Sequence, residues 1–233
     1  MTMRIFIPRD AGAVGVGADE VALAVAQAAA ARGTPIEIVR TGSRGLYWLE
    51  PMVELATAQG RIAFGPVTPA DVPSLLDAMA GNGPHALRLG LTDEIPWLKR
   101  QTRLTFARCG VIDPRSVDDY RAHGGYKGLE RALTLTSDQI LADVTTSGLR
   151  GRGGAGFPTG IKWKTVAQAS ADRKYIVCNA DEGDSGTFAD RMIIEGDPFS
   201  LIEGMAIAGL GVGATRGYVY LRSEYPDAIH ILT

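Results

Sequence analysis

Cysteine and histidine are scarce: of 233 residues only Cys109 and Cys178 carry thiols, and only three residues are histidine. Two thiols build no disulfide framework and fall short of the four protein ligands that an iron–sulfur cluster takes. Both read as small buried residues. His85, His123 and His230 are scattered without metal-ligand spacing, and His123 reads as a local hydrogen-bonding residue. An excess of charge of either sign is also missing. Twenty-four Lys and Arg against 26 Asp and Glu leave a net charge of −2 with no basic run, which argues against a nucleic-acid partner. No apolar run is long enough to cross a bilayer, the longest being a glycine-rich stretch near Met205–Ala214. The opening MTMRIFIPRD is no signal peptide, because its short apolar run is cut by Pro8, so a cytoplasmic protein is expected. No internal repeat or low-complexity tract occurs beyond one Ala-rich helix.

What is present suffices for a core: 45% of the residues are hydrophobic, enough for two units in an α/β chain of this length. Arg4–Pro8 reads as a strand. Ala18–Arg32 reads as a helix ended by Gly33, and Pro35–Val39 as a second strand. Met52–Ala56 and Arg61–Gly65 form a hairpin around Gln59-Gly60. Thr68 then caps a helix over Pro69–Met79 with Pro at its first position. Strand, helix, strand, hairpin, helix is the order of a thioredoxin-like unit. The glycines at 12, 15 and 17 read as a plain strand-to-helix connection. Leu46-Tyr47-Trp48 reads equally as contact surface or as core. The cluster Gly81-Asn82-Gly83-Pro84 marks a linker, and the chain from there to Trp97 reads as a wrap without period. The expected domains are 1–81, a linker over 82–102, and 103–233.

The most informative stretch is GLRGRGGAGFPTG, Gly148–Gly160, with six glycines in thirteen positions and Lys162 just beyond. Closely spaced glycines let backbone N–H groups face an anion without Cβ obstruction. A helix over Ile161–Ala171 capped by Thr159 would add its positive dipole end. Arg150, Arg152 and Lys162 supply mobile positive charge, so the stretch reads as a cradle for a phosphorylated ligand. Gly151, Gly153 and Gly156 match G-x-G-x-x-G, but a Rossmann turn follows a strand, whereas Ser137–Val144 reads as a helix. Gly160-Ile161-Lys162-Trp163 is no P-loop. The remaining alternative from the loop alone is a flexible segment without a ligand.

The next segment bears on that choice. Lys174–Cys178 reads as a short buried strand that runs into Asn179, Asp181, Glu182 and Asp184. Open α/β sheets place ligands at such strand ends. Carboxylates and an amide suit hydroxyls and ring nitrogens rather than phosphate, and the spacing is not that of an EF-hand. Glycine loop and acidic turn together point to one extended ligand with a phosphate end and a polyol or heterocycle end. Helix capping and a solvated loop are the alternative for each acid singly.

GLRGRGGAGFPTGIKW and YIVCNADEGDSGTFADR closely resemble the flavin-binding signatures of the NADH-oxidising flavoprotein subunit family. Its members serve respiratory complex I, NAD-reducing hydrogenases and NAD-dependent formate dehydrogenases. Arg103–Leu133 and Gly196–Pro226 extend the likeness, which runs from about Leu98 to the last residue. The resemblance implies a thioredoxin-like domain followed by an α/β FMN-binding domain of complex I flavoprotein type, with FMN and NAD(H) as cofactors. It implies flavin contacts from Gly151, Arg152, Gly153, Gly154 and Lys162 at the phosphate and ribityl side. Asn179, Asp181 and Glu182 would hold the rest of FMN. Phe157 would stack on the nucleotide, and Asp184 would lie near NADH. Asp184 stands where members more often have Glu, and Ser185 where many have Pro. Hydride passes directly between stacked rings, so no catalytic acid or base is expected.

The first domain resembles the thioredoxin-like ferredoxin fused to or partnered with this flavoprotein. Ser43 and Tyr47 stand where cluster-bearing members have cysteines, so a cluster-free docking domain is implied. Longer members carry a 4Fe–4S cluster in a C-terminal part, and this chain is expected to be a portion of such a subunit. The implied partners are iron–sulfur subunits, namely a thioredoxin-like 2Fe–2S subunit and a molybdenum-containing formate dehydrogenase catalytic subunit. Among hosts the chain most resembles the beta subunit of that dehydrogenase. A complex I or hydrogenase flavoprotein, a stand-alone FMN reductase and a non-catalytic docking module remain the alternatives.

Overall fold

The structure is a computed structural model that describes residues 2–81, 83–184 and 186–233. Asn82 of the expected linker and Ser185 of the acidic turn lie outside the described residues. The chain divides into two compact units, Met1–Asp119 with Met192–Asp197, and Tyr120–Arg191 with Pro198–Thr233.

In the first unit the elements are β1 (Met3–Pro8), α1 (Ala11–Val14), α2 (Ala18–Arg32), β2 (Ile36–Thr41), β3 (Val53–Thr57), β4 (Gly60–Phe64), α3 (Val72–Gly81), β5 (Arg88–Leu91) and α4 (Pro96–Lys99). The sheet runs in the order β2-β1-β3-β4-β5. β1 and β2 are parallel and the remaining neighbours antiparallel, which is the thioredoxin-like arrangement with one strand added at the edge. Strand alternation turns Ile5, Ile7, Val53, Leu55, Ile62 and Phe64 toward one core. Val21 and Val25 of α2 and Leu75, Leu76 and Met79 of α3 complete it. Each such side chain contributes about 1.5–3 kcal/mol on burial. Gly33 ends α2 at φ 60°, a left-handed value that glycine adopts without a Cβ penalty. One 3-10 turn over Pro69–Asp71 leads into α3, closed by the reciprocal bonds of Thr68 and Asp71.

Two expectations change here. The stretch after position 82 is not a bare wrap. β5 pairs Leu91 with Ile62 and Gly90 with Ala63, and α4 follows, so the first unit extends well past the expected boundary. Four residues with a central glycine carry no period of their own; pairing to β4 supplies their order. Leu46-Tyr47-Trp48 divides between its two readings. Leu46 is fully buried with Met52, Ile95 and Leu98, while Trp48 is exposed and meets Trp97 edge-on at 5.6 Å.

Polar groups are buried in pairs and triads. Arg44 donates to both oxygens of Glu54 at 3.0 and 3.2 Å, and Arg61 adds a third bond at 2.9 Å. Arg61 also donates to the carbonyls of Gly110 and Val111, tying that segment to the sheet. Ser43 donates to Glu50 at 2.7 Å and accepts from Gly45 N–H at 2.9 Å, so its hydroxyl is committed within the protein.

The second unit is built around a long helix. Its elements are α5 (Val117–Ala122), α6 (Lys127–Ala132), α7 (Ser137–Thr146), α8 (Thr159–Gln168), β6 (Tyr175–Ala180), α9 (Ala189–Gly196), α10 (Pro198–Val212), β7 (Arg216–Leu221) and α11 (Pro226–Leu232), with α5 and α9 crossing the division between units. α10 lies against α6, α7, α8 and both strands. β6 and β7 pair in parallel, Tyr175 with Arg216 through Ala180 with Leu221. β6 was expected to be buried, and one face of it is not. Tyr175, Val177, Tyr218 and Tyr220 are all exposed, because α10 covers only the face that carries Ile176 and Gly217.

Candidate functional site

The glycine stretch forms a closed loop between α7 and α8. Gly151 N–H donates to Phe157 O at 2.8 Å, and Arg150 bridges Pro158, so the two ends run side by side. Arg150 Nε reaches Gly156 O at 2.6 Å and locks the tip from one side. Thr159 was expected to cap α8. It lies instead inside the first turn, with Pro158 at the cap and its own N–H donated to Leu149 O at 2.9 Å. Closure of the loop takes the position that a cap would need.

The glycines of this loop are not equivalent. A Cβ on Gly160 would stand 2.4 Å from Thr145 Oγ1, so this glycine permits the crossing of α7 and α8. A Cβ on Gly153 or Gly154 would meet nothing within 4 Å, and neither residue has a left-handed φ. The fold therefore makes no demand for glycine at 153 or 154. Among the described residues, the N–H groups of Arg152, Gly153 and Gly154 have no protein acceptor. Open backbone donors on an exposed loop, with Arg152 and Lys162 exposed beside them, make a cradle suited to phosphate oxygens. Phe157, 53% exposed, offers a ring face at the same loop.

The acidic turn follows β6. Asn179 Oδ1 accepts from Asp181 N–H at 3.1 Å, and the side chains of Asn179, Asp181 and Asp184 are exposed. Glu182 behaves differently. Its carboxylate is turned inward, where Oε1 accepts from Ala189 and Asp190 N–H at 2.7 and 3.2 Å and Oε2 accepts from Arg191 N–H at 3.3 Å. It caps α9, and Tyr225 Oη donates to it at 3.2 Å. Of the four polar residues expected to face the cofactor from this turn, Glu182 is the one whose carboxylate is engaged by the protein itself. Burial raises the Asp190 carboxyl, and Glu182 adds to that effect. Burial raises the Cys178 thiol too, with Asp190 contributing.

Glycine loop and acidic turn both belong to the second unit, and among the described residues no hydrogen bond or ion pair joins one to the other. Arg222 and Tyr225, which meet Glu182, were not among the candidate residues. Both lie in a stretch quoted for its family likeness, yet no spacing announces a contact across some forty residues. Among the described residues no group of His, Cys, Asp and Glu is arranged for a metal ion, and no helix is long and apolar enough to cross a membrane.

The family model described as the Nuo51 FMN-binding domain matches residues 144–233. The NADP-reducing hydrogenase subunit HndC of Solidesulfovibrio fructosivorans is 58% identical over 131 residues, 56% of this chain and 26% of that protein. An NADH-quinone oxidoreductase subunit of Aquifex aeolicus is 48% identical over 140 residues, 59% of this chain and 33% of that one. The chain thus spans about a quarter to a third of the length of these curated relatives. Among solved structures, NAD+-reducing [NiFe]-hydrogenase in the air-oxidized state aligns over 99% of this chain and 39% of its own, at 23% identity and a TM-score of 0.45. A thioredoxin-like [2Fe-2S] ferredoxin from Aquifex aeolicus aligns over 38% of this chain and 97% of its own, at 20% identity and a TM-score of 0.33.

Proposed function

We propose that this chain, whose residues 144–233 match the model of the Nuo51 FMN-binding domain, holds FMN on its glycine loop and acidic turn and is the NADH-oxidising flavoprotein module of a larger dehydrogenase. The observation that carries this reading is the pair Gly153 and Gly154, whose open backbone serves no need of the fold. FMN, when bound, supplies the acceptor for a hydride from NADH. The N–H groups of Arg152, Gly153 and Gly154 would hold the phosphate, with Arg152 and Lys162 neutralising it. Gly151 keeps the loop closed. Asn179 and Asp181 would receive the ribityl or ring donors. Phe157 would stack on the dinucleotide, and Asp184 would lie near it. Orientation of the two rings is then the protein's main contribution, and no side chain is needed to move a proton.

Within this class we favour the beta subunit of an NAD-dependent, molybdenum-containing formate dehydrogenase as host. The support is sequence character: no cysteine precedes Cys109, and the acidic turn reads Gly-Asp-Ser-Gly. The partners would be iron–sulfur subunits, including a thioredoxin-like 2Fe–2S subunit and the molybdenum subunit on which formate reacts. With NADH as donor, the expected compartment is the cytoplasm. A complex I or hydrogenase flavoprotein is the alternative host, since relatives of both kinds match.

An absorption spectrum of the purified chain, before and after anaerobic NADH, tests the reading. Flavin bands that bleach with NADH support it; a folded chain without flavin overturns it for these residues. Co-purification with a subunit that reduces NAD+ with formate tests the host.

A further inference from the structure

One residue of the acidic turn is held by both its side chain and its backbone. The Glu182 carboxylate takes three N–H groups at the start of α9 and the Tyr225 hydroxyl, and the Glu182 carbonyl accepts from the Arg222 guanidinium. Arg222 lies 5.1 Å over the Tyr225 ring, so the two residues between β7 and α11 brace each other. Tyr225 and Glu182 are 7% and 8% exposed, whereas Asn179, Asp181 and Asp184 are open to solvent. Beyond the pairing of Asn179 and Ala180 with β7, the other bonds of the turn among the described residues run within it, from Asp181 N–H to Asn179 and from Thr187 N–H to Asp184.

We propose that Glu182, Tyr225 and Arg222 are positioning residues, a clamp that fixes the acidic turn in the shape in which Asn179, Asp181 and Asp184 meet flavin and dinucleotide. This rests on the reading of that turn as part of the flavin site. The physical case is one of preorganisation. Three carboxylates within four residues repel one another, and an exposed turn would spread them apart and lose ordering entropy on binding. Turning the middle one inward, onto a helix N-terminus and a tyrosine hydroxyl, removes that repulsion and sets the directions of the other two. Burial, reinforced by Glu182, raises the Tyr225 phenol above its ordinary value, so the hydroxyl remains a donor at neutral pH.

The same unit contains a matched control. Glu203 of α10 caps α6 through Tyr126 and Leu129 N–H at 2.8 and 2.9 Å and also takes a tyrosine hydroxyl, that of Tyr120. This second cap bears none of the candidate ligand residues. Tyr225→Phe and Tyr120→Phe therefore remove the same group from two equivalent caps.

Amide hydrogen exchange and flavin titration of the full chain decide the matter. Tyr225→Phe is expected to speed exchange at Ala189–Arg191 by about tenfold, with α10 unchanged. It should weaken FMN and riboflavin by one common factor, about five- to tenfold, because the clamp serves the non-phosphate end. Tyr120→Phe should speed exchange at the start of α6 and leave both flavins as in the wild type. Glu182→Gln, which keeps one acceptor oxygen, should lie between Tyr225→Phe and Glu182→Ala in flavin affinity. Unchanged exchange at Ala189–Arg191 overturns the clamp. Faster exchange with unaltered flavin affinity, or equal acceleration throughout the unit, overturns the positioning role. A wild-type chain that binds no flavin removes the functional reading, and the exchange result then decides on the clamp alone.

Discussion

Gly160 of α8 lies so close to Thr145 of α7 that a Cβ on it would stand 2.4 Å from Thr145 Oγ1 and 2.7 Å from Thr145 Cα. Seven residues earlier, Gly153 faces open space. Two glycines of one loop thus differ in what the fold asks of them: helix packing requires the one, and no packing contact requires the other.

That contrast gives the first prediction. Gly160→Val should cost about 1–3 kcal/mol or more in urea unfolding, since backbone and not a flexible side-chain end must give way. Gly153→Val should change stability by no more than about 0.5 kcal/mol. Flavin titration should then show at least tenfold weaker FMN binding by Gly153→Val. Wild-type affinity in that variant would sink the cradle.

Lys162 is exposed in the first turn of α8, just beyond the glycine loop. Lys162→Ala should weaken FMN by about tenfold more than riboflavin, the scale of a lost charge-assisted bond. Equal losses for both flavins would assign the lysine elsewhere.

Glu54 lies 2% exposed between Arg44 and Arg61. Burial lowers the Arg61 guanidinium's proton affinity, with Glu54 opposing, so the carboxylate holds a charge that the interior disfavours. Glu54→Ala leaves two buried cations without it and should destabilise the first unit by about 3–5 kcal/mol. Thermal unfolding measures this; a loss under about 1 kcal/mol would mean that water reaches the arginines.

Glu50 ties stability to pH. Burial, with Asp10 and Glu54 adding, pushes its carboxyl up to about 7 from an ordinary 4.5, against the bonds from Ser43 and Met52 that lower it. Its folded pKa lies above its unfolded one, so the native state binds the extra proton between about 4.5 and 7. Stability from this group falls as pH rises through that window, and the full cost is present above it. Glu50→Gln, an isostere of the protonated form, should match the wild type near pH 4.5 and exceed it by up to about 3 kcal/mol at pH 8. Parallel pH profiles for the two proteins would refute the assignment.

Much was legible in the sequence where the cause is local. The reach of α2 to its Gly33 terminator, the Thr68 box before α3 and the alternation of β1, β3 and β4 are written in neighbouring residues, because caps, turns and periods act within a few positions. The closely spaced glycines at 151, 153, 154 and 156 were legible for the same reason, since their spacing lies within six residues of sequence.

Other features depend on partners distant in the chain. β5 has too few residues to announce itself and exists because β4 offers an edge. The open face of β6 follows from α10 lying on one side of a two-stranded sheet. Glu182 has the residue type of a ligand contact, and only the arrival of Ala189 N–H and Tyr225 Oη at its oxygens makes it a brace. Composition and spacing determined which polar and charged groups this chain gathers at its glycine loop and acidic turn. Tertiary structure decided which of those groups remain open to a ligand, because a carboxylate or backbone amide is available only where the folded chain has not already satisfied it.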